Sequence, residues 1–366
     1  MVEILKYDIV VLGSGLAGLR AAFQAALTSK DRLRIAVVSK LHAMRSHSVS
    51  AEGGISAVLY PKEMNDSIDL HAYDTVKGSD FLADQDAVEL LVKLVPEEIR
   101  FFDHLGTPWS RRPDGRIAQR PFGGMSVPRA VFAADKTGFF MMSTLYDNLL
   151  RFNNVDIYHE NMATSILMEN GVFRGVAAID MATGEFRVFL GKAGIIATGG
   201  AGRVYSFVTV ANSSTGDGVA MAYRAGIPIK DMEFVQFHPT GMVPSGVLIT
   251  EAARGEGGYL INKEGERFLK RYAPQRMELA PRDIISRAIM TEIKEGRGFV
   301  QEESGLEHVL LDLRHLGEEK INERLPMIRE LSKKLIGVDP VSEPIPVRPT
   351  THYTMGGVHT DTYGQV

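Results

Sequence analysis

The segment that most constrains this chain is its opening strand and glycine turn. Tyr7 to Leu12 is a run of strand-forming residues that leads directly into Gly13-Ser14-Gly15-Leu16-Ala17-Gly18. Residues 19–27 are alanine-rich and read as a helix. Strand, glycine turn and helix in that order turn a bare GxGxxG into a dinucleotide-binding expectation. Gly13 is expected to make the tight turn, Gly15 to admit a pyrophosphate against the backbone, and Gly18 to let the helix pack close to the strand. The pyrophosphate would sit at the helix N-terminus, where free N–H groups point outward, with Ser14 and Ala17 in the same cradle. The second strand, residues 34–39, ends in Ser39-Lys40, where an acid that holds a ribose is usual. The standard NAD-type clamp is therefore absent, and the motif alone does not define a dehydrogenase.

At 366 residues the chain exceeds the size at which one core usually divides, so two domains are expected. A net charge of −4 gives no sign of nucleic-acid binding. The chain has no cysteine, which removes disulfides, iron–sulfur ligation and thiol nucleophiles from its repertoire. No apolar run approaches a membrane span, and the N-terminus enters a core strand without a signal-peptide pattern. An intracellular chain is expected, compatible with docking on a membrane partner.

Residues 44–58 read Met-Arg-Ser-His-Ser-Val-Ser-Ala-Glu-Gly-Gly-Ile-Ser-Ala-Val. Small hydroxyl residues and paired glycines suit a backbone laid against a flat or phosphorylated ligand. His47 reads equally as a metal ligand, a base or a surface residue. No second His, Asp or Glu stands at metal-ligand spacing here, so no metal is expected.

This stretch resembles the flavin-attachment segment of the succinate dehydrogenase and fumarate reductase flavoprotein subunits. In that family the histidine of Ser-His-x-x-x-Ala-Glu-Gly-Gly is bonded covalently to FAD, and His47 matches it. The resemblance implies FAD as cofactor, with Ser46, Ser48, Gly53 and Gly54 around it.

Further along, residues 67–78 and 86–105 have helical spacing, with Pro96 read as a helix start or a kink. Arg120 and Arg129 are candidates for drawing in a dianion, weighed evenly against a solvated basic face. Residues 139–152 read as an apolar helix, and 155–158 open a different region. Residues 163–169, 172–180 and 186–190 read as an antiparallel meander with a turn at Asn170-Gly171. The strand ending in Ala197-Thr198-Gly199-Gly200 resembles the superfamily's second flavin signature, returning the backbone to the cofactor. Ala163 belongs to the same expected set. Asp217 matches a cofactor-contacting acid, with a helix cap as the structural alternative.

A domain boundary is expected near residue 234. Beyond it lie His238, placed in a turn before Pro239, and Thr250-Glu251-Ala252-Ala253-Arg254, whose acid and base share one face if helical. Arg282 opens a helix that runs to Ile293, and His352-Tyr353-Thr354-Met355 comes near the end. Such cationic and hydrogen-bonding groups suit a small carboxylic acid, although each alone also reads as a salt bridge or a capped turn. The resemblance assigns His238 and His352 to substrate carboxylates, Thr250 and Glu251 to the lining of the same substrate pocket, and Arg282 to acid–base transfer. Glu251 and Arg254 relay its proton, and Asp283 orients neighbouring arginines.

The resemblance covers the whole chain. It implies an α/β fold: a Rossmann-like three-layer FAD-binding domain with an inserted meander (1–233), an α+β capping domain (234–347) and a return to the first domain (348–366). It implies interconversion of succinate and fumarate, an iron–sulfur subunit, membrane anchor subunits and a peripheral position on the cytoplasmic face. The alternatives are an L-aspartate oxidase-like or other fumarate-reductase-like enzyme, or a non-catalytic electron-transfer flavoprotein. The family continues beyond the His-Tyr-Thr-Met-Gly-Gly block with a further substrate arginine and a helical domain, so the chain is expected to be incomplete.

Overall fold

The computed structural model describes residues 2–366. Its central sheet is parallel and four-stranded. Ile9–Leu12 lies between Ile35–Val38 and Ala193–Ile196, and Val155–Tyr158 pairs outside Ile35–Val38. Residues alternate in direction along each strand. Val11, Ile35 and Val37 join a core formed with the helices Leu16–Ser29 and Thr137–Leu149. Val10, Leu12, Ala36 and Val38 instead join a core with Val176, Ala178 and Phe189 of the meander. Helices, parallel sheet and meander are therefore three stacked layers, and the fold is α/β.

The meander strands Asn161–Glu169, Val172–Asp180 and Phe186–Leu190 fall where their alternation places them. A fourth strand, Glu3–Lys6, pairs parallel to Phe186–Leu190. Its exposed pattern carries no alternation to announce it. Three elements differ from the sequence reading. The first helix begins at Leu16, because Gly15 already occupies the cap and Gly18 lies inside the first turn. Pro96 interrupts nothing and sits within one continuous helix, Gln85–His104. Val155–Tyr158 belongs to the central sheet, not to a new region.

A separate core gathers residues from Met242 to Val347, including Ile285, Ile289 and Ile293 of the helix Arg282–Lys294. Over it lies an antiparallel sheet in which Val235–Met242 pairs with Ile345–Thr354. His238 and His352 therefore stand on strands, which corrects the turn expected for His238. Pro239 carries no N–H for the ladder, and the pairing register shifts between His238 and Gly241. The proline that suggested a turn marks a bulge instead.

Candidate functional site

A cavity of about 250 Å³ opens at the C-terminal ends of the central strands. That is where open α/β sheets bind ligands. It is lined by Gly13, Ser14, Gly15, Ala17, Ser39, Lys40, Ser46, His47, Ser48, Ala163, Ala197, Thr198, Gly199 and Asp217, fourteen positions singled out from the sequence.

Gly13 adopts φ +102°, and a Cβ there would stand 2.3 Å from the Ala197 carbonyl. The turn therefore requires glycine on both conformational and steric grounds. Gly18 lies outside the lining: a Cβ on it would stand 1.9 Å from the Gly13 carbonyl, so it serves close helix packing. The N-terminus of Leu16–Ser29 has no side-chain cap at Gly15, and the Leu16 N–H donates to Ser48 Oγ at 3.1 Å. Ser14 donates to Ser39 at 2.8 Å. Lys40 meets the Asp217 carboxylate at 2.5 Å, so Asp217 is a cavity-wall ion-pair partner, and Gly216 takes the helix cap.

His47 is largely buried, which pushes its pKa down and favours the neutral ring. Its Nδ1 accepts the Ala211 N–H at 3.2 Å, leaving Nε2 as the free ring nitrogen. Ser46 lines this cavity, and its Oγ is buried without a partner. An unsatisfied hydroxyl beside a helix N-terminus whose cap residue is glycine, within a glycine cradle, suits a phosphorylated, flat cofactor. Gly53 and Gly54 lie outside the lining. Gly53 packs against Phe122, and its carbonyl accepts from Arg120.

The two arginines weighed for a dianion separate clearly. Arg129 is buried and bonded to both oxygens of Asp66 at 3.0 and 2.6 Å and to Asp74 at 2.5 Å. Its charge is spent on structure, which corrects that expectation. Arg120 lies over Phe132 and Phe122 at 4.2 and 5.2 Å, and its Nη2 donates to the carbonyls of Glu52 and Gly53.

A second constellation adjoins the cavity. Thr209 Oγ1 and His352 Nδ1 are 2.7 Å apart, two residues before the Ala211 N–H that holds His47. The rings of His352 and His238 lie 5.2 Å apart. Burial, then the neighbouring Arg282, lowers His352 to about 4. Burial, Arg282 and Arg254 push His238 well down as well, so both rings are neutral at neutral pH. His238 Nδ1 accepts the Thr240 N–H at 3.3 Å, which leaves Nε2–H as the ring's free donor.

Beside them, Arg282 donates through Nε to Glu251 Oε2 at 3.1 Å and through Nη1 to Gln236 at 2.8 Å. Glu251 Oε2 also faces Arg254 Nη2 at 3.8 Å. Burial raises the Glu251 carboxyl, but Arg254 and Arg282 outweigh it and hold the group below its usual range. Arg254 is fully buried, which lowers it to about 10; its Nη1 donates to the Glu278 carbonyl at 2.6 Å, while Nε and Nη2 have no hydrogen-bond partner. Thr250 caps the short helix Glu251–Gly255 that carries both residues. Arg282, Glu251 and Arg254 thus form one cluster with a net charge of +1 next to two neutral imidazoles, joined by a hydrogen bond from Arg282 to Glu251 and an ion-pair approach from Glu251 to Arg254. Asp283 turns outward and pairs with Arg287.

Gln236, Thr209 and Ala211 were not found from the sequence; Phe122-Gly123-Gly124 resembles a family block around the substrate chamber, but the bond from the Gly123 N–H to Glu251 was not foreseen. The i, i+2 spacing of Gln236 and His238 becomes a signal only once the segment is known to be a strand. Among the described residues no cluster of His, Asp or Glu suits a metal, and no helix is long and apolar enough to cross a membrane.

Fold and cavity together define an FAD-binding α/β protein. The chain belongs to the FAD binding domain family, whose model matches residues 8–366. It is 51% identical over 368 residues to the fumarate reductase flavoprotein subunit of Mycobacterium tuberculosis, covering 98% of this chain and 62% of the relative. It is 50% identical over 369 residues to the succinate dehydrogenase flavoprotein subunit of Rickettsia bellii, covering 99% and 61%. A solved E. coli quinol fumarate reductase superposes with a TM-score of 0.95 at 46% identity, covering 99% of this chain and 63% of that one. The chain thus spans roughly three fifths of the length of these relatives.

Proposed function

We propose that this chain is the FAD-bearing, substrate-binding part of a flavoprotein that interconverts succinate and fumarate. The observation that carries this reading is the Arg282–Glu251–Arg254 chain set against His238 and His352, one segment away from the cofactor cavity. A net positive, largely buried site with neutral imidazole donors suits a small dicarboxylate. The bound flavin supplies the hydride acceptor or donor. His238 Nε2–H, Thr250 and His352 hold the carboxylates, and Arg282 takes a proton from the carbon next to the one that loses hydride as it passes its Nε proton to Glu251, so the guanidinium keeps its charge; the reverse direction runs the same transfers backward. Glu251 and Arg254 relay that proton. Fixed positive charge at Arg282 also stabilises the negative charge that develops as the C–H bond breaks.

His47 is proposed as a covalent tether. It is neutral, lines the cavity and has Nε2 free, and its backbone neighbours Ser46 and Ser48 flank the cradle. Gly53 and Gly54 would act one layer back, beneath Arg120. Residues 1–233 are proposed as the FAD-binding domain, 234–347 as the cap and 348–366 as a return to the first domain. Electrons leaving flavin need a carrier, and a chain without cysteine holds no iron–sulfur cluster. An iron–sulfur subunit, quinone and membrane anchor subunits are the proposed partners, with the chain peripheral on the cytoplasmic face. Flavin difference spectra of the full-length holoprotein, titrated with succinate, fumarate and aspartate, test the substrate class. Saturable perturbation and turnover with succinate and fumarate support it. A response confined to aspartate contradicts it.

A further inference from the structure

We infer that Gly123 is a positioning residue for the proton relay, fixing through its backbone N–H which oxygen of Glu251 is presented to the two arginines. This rests on the function proposed above. The Gly123 N–H donates to Glu251 Oε1 at 2.7 Å. Oε2 is then the oxygen that accepts from Arg282 at 3.1 Å and faces Arg254 at 3.8 Å. A carboxylate has two equivalent oxygens and a soft terminal torsion, so a donor on one of them is what selects the other. The same bond favours the ionised form and adds to the two arginines in keeping Glu251 charged.

The side chain missing at Gly123 makes the case. Gly124 does the turning, with φ +85° and nothing within 4 Å of its ideal Cβ. Gly123 has no left-handed φ, so its backbone conformation is open to any residue. Yet a Cβ on Gly123 would stand 2.5 Å from Glu251 Oε1, with the Ala280 carbonyl at 3.7 Å behind it. Position 123 is glycine on account of Glu251, not on account of the turn.

The loop is anchored away from the relay. Ser126 donates to Asp74 through N–H and Oγ at 3.0 and 2.7 Å, and Phe122 packs on Gly53. Gly123 therefore reaches from the layer that holds the flavin-attachment segment to a residue 128 positions later, on the far side of the site. Glu251 is correctly presented only while those two parts are in contact.

The test is Gly123→Ala in the full-length holoprotein. Flavin content and the dissociation constant for fumarate should stay close to wild type. Turnover should fall about tenfold or more, toward the ~10²–10⁴ range of a lost general acid–base group. The acidic limb of the kcat profile should move to higher pH. In a Glu251→Gln background, Gly123→Ala should add no further loss, because the carboxylate it positions is gone. The infrared carboxyl band that Glu251→Gln deletes should titrate at higher pH in Gly123→Ala, a readout that does not require turnover. An unchanged band and pH profile, or an equal further loss in the Gln background, overturns the inference. A wild-type protein inert toward succinate and fumarate instead overturns the proposed function and leaves the contact to be judged by the infrared titration.

Discussion

Replacing Gly18 with alanine tests the cofactor cradle where its geometry is tightest. The new Cβ would stand 1.9 Å from the Gly13 carbonyl oxygen, and Cβ contacts essentially never fall below 3.0 Å. The helix Leu16–Ser29 and the turn must therefore separate by 1.1 Å or more. Neither side yields easily. Leu19, Ala22, Phe23 and Ala26 on the same helix are all buried in the central core, and Gly13 is itself held by the Val38 carbonyl at 2.8 Å. Overpacking of this kind costs about 1–3 kcal/mol. For a chain of this size that is a fall in Tm of roughly 1–4 °C. The same movement displaces the helix N-terminus that faces the pyrophosphate, so FAD affinity should fall along with stability. Scanning calorimetry of the apo-protein and FAD titration in a His47→Ala background, where binding is reversible, measure the two effects separately. Gly78 is the control. It ends a helix and has nothing within 4 Å of its ideal Cβ, so Gly78→Ala should be neutral or stabilising by up to about 1 kcal/mol. Gly18→Ala with unchanged Tm and FAD affinity, or the same loss in both variants, would refute the reasoning.

Other expected outcomes are simpler to state. Arg129→Ala leaves the Asp66 and Asp74 carboxylates buried without their cation and should cost about 3–5 kcal/mol in urea denaturation; a loss below 1 kcal/mol would place that pair in solvent. Burial raises Asp74, but Ser126 and Arg129 hold it below its usual value, so its contribution to stability is complete above the unfolded pKa and disappears as pH falls through the folded one. His352 follows the same sign, since its folded pKa of about 4 lies below 6.5: stability should fall as pH drops between those values, and His352→Gln should flatten that slope. His47→Ser should retain FAD but release it on acid precipitation, whereas wild-type protein that also releases all its flavin would exclude the tether.

The sequence was most legible where function is contiguous in the chain. Gly13 to Gly18, Ser39-Lys40, Ser46 to Ser48 and Ala197 to Gly199 each contribute several neighbouring residues to one cavity, so local spacing carried the information. The catalytic candidates were legible as residue types but not in their settings. His238 looked like a turn residue because of Pro239, and only the pairing with Ile345–Thr354 shows a bulged strand. Arg120 and Arg129 were indistinguishable, because what separates them is the burial of Asp66 and Asp74 around one of them. Gly123 and Ala211 act through backbone N–H groups, which have no residue-type signature, on partners far away in sequence. Contacts of that kind exist only once the layers have packed.

The central claim is that Arg282 carries the proton while His238 and His352 hold the substrate. Turnover and fumarate binding, measured on full-length Arg282→Ala with flavin content matched to wild type, test it most directly. The expected result is a fall in turnover beyond the ~10²–10⁴ of ordinary general acid–base catalysis, because fixed charge is lost together with the proton path. The fumarate dissociation constant should rise only slightly, in contrast to a large rise in His238→Ala. Turnover of Arg282→Ala within tenfold of wild type would contradict the account.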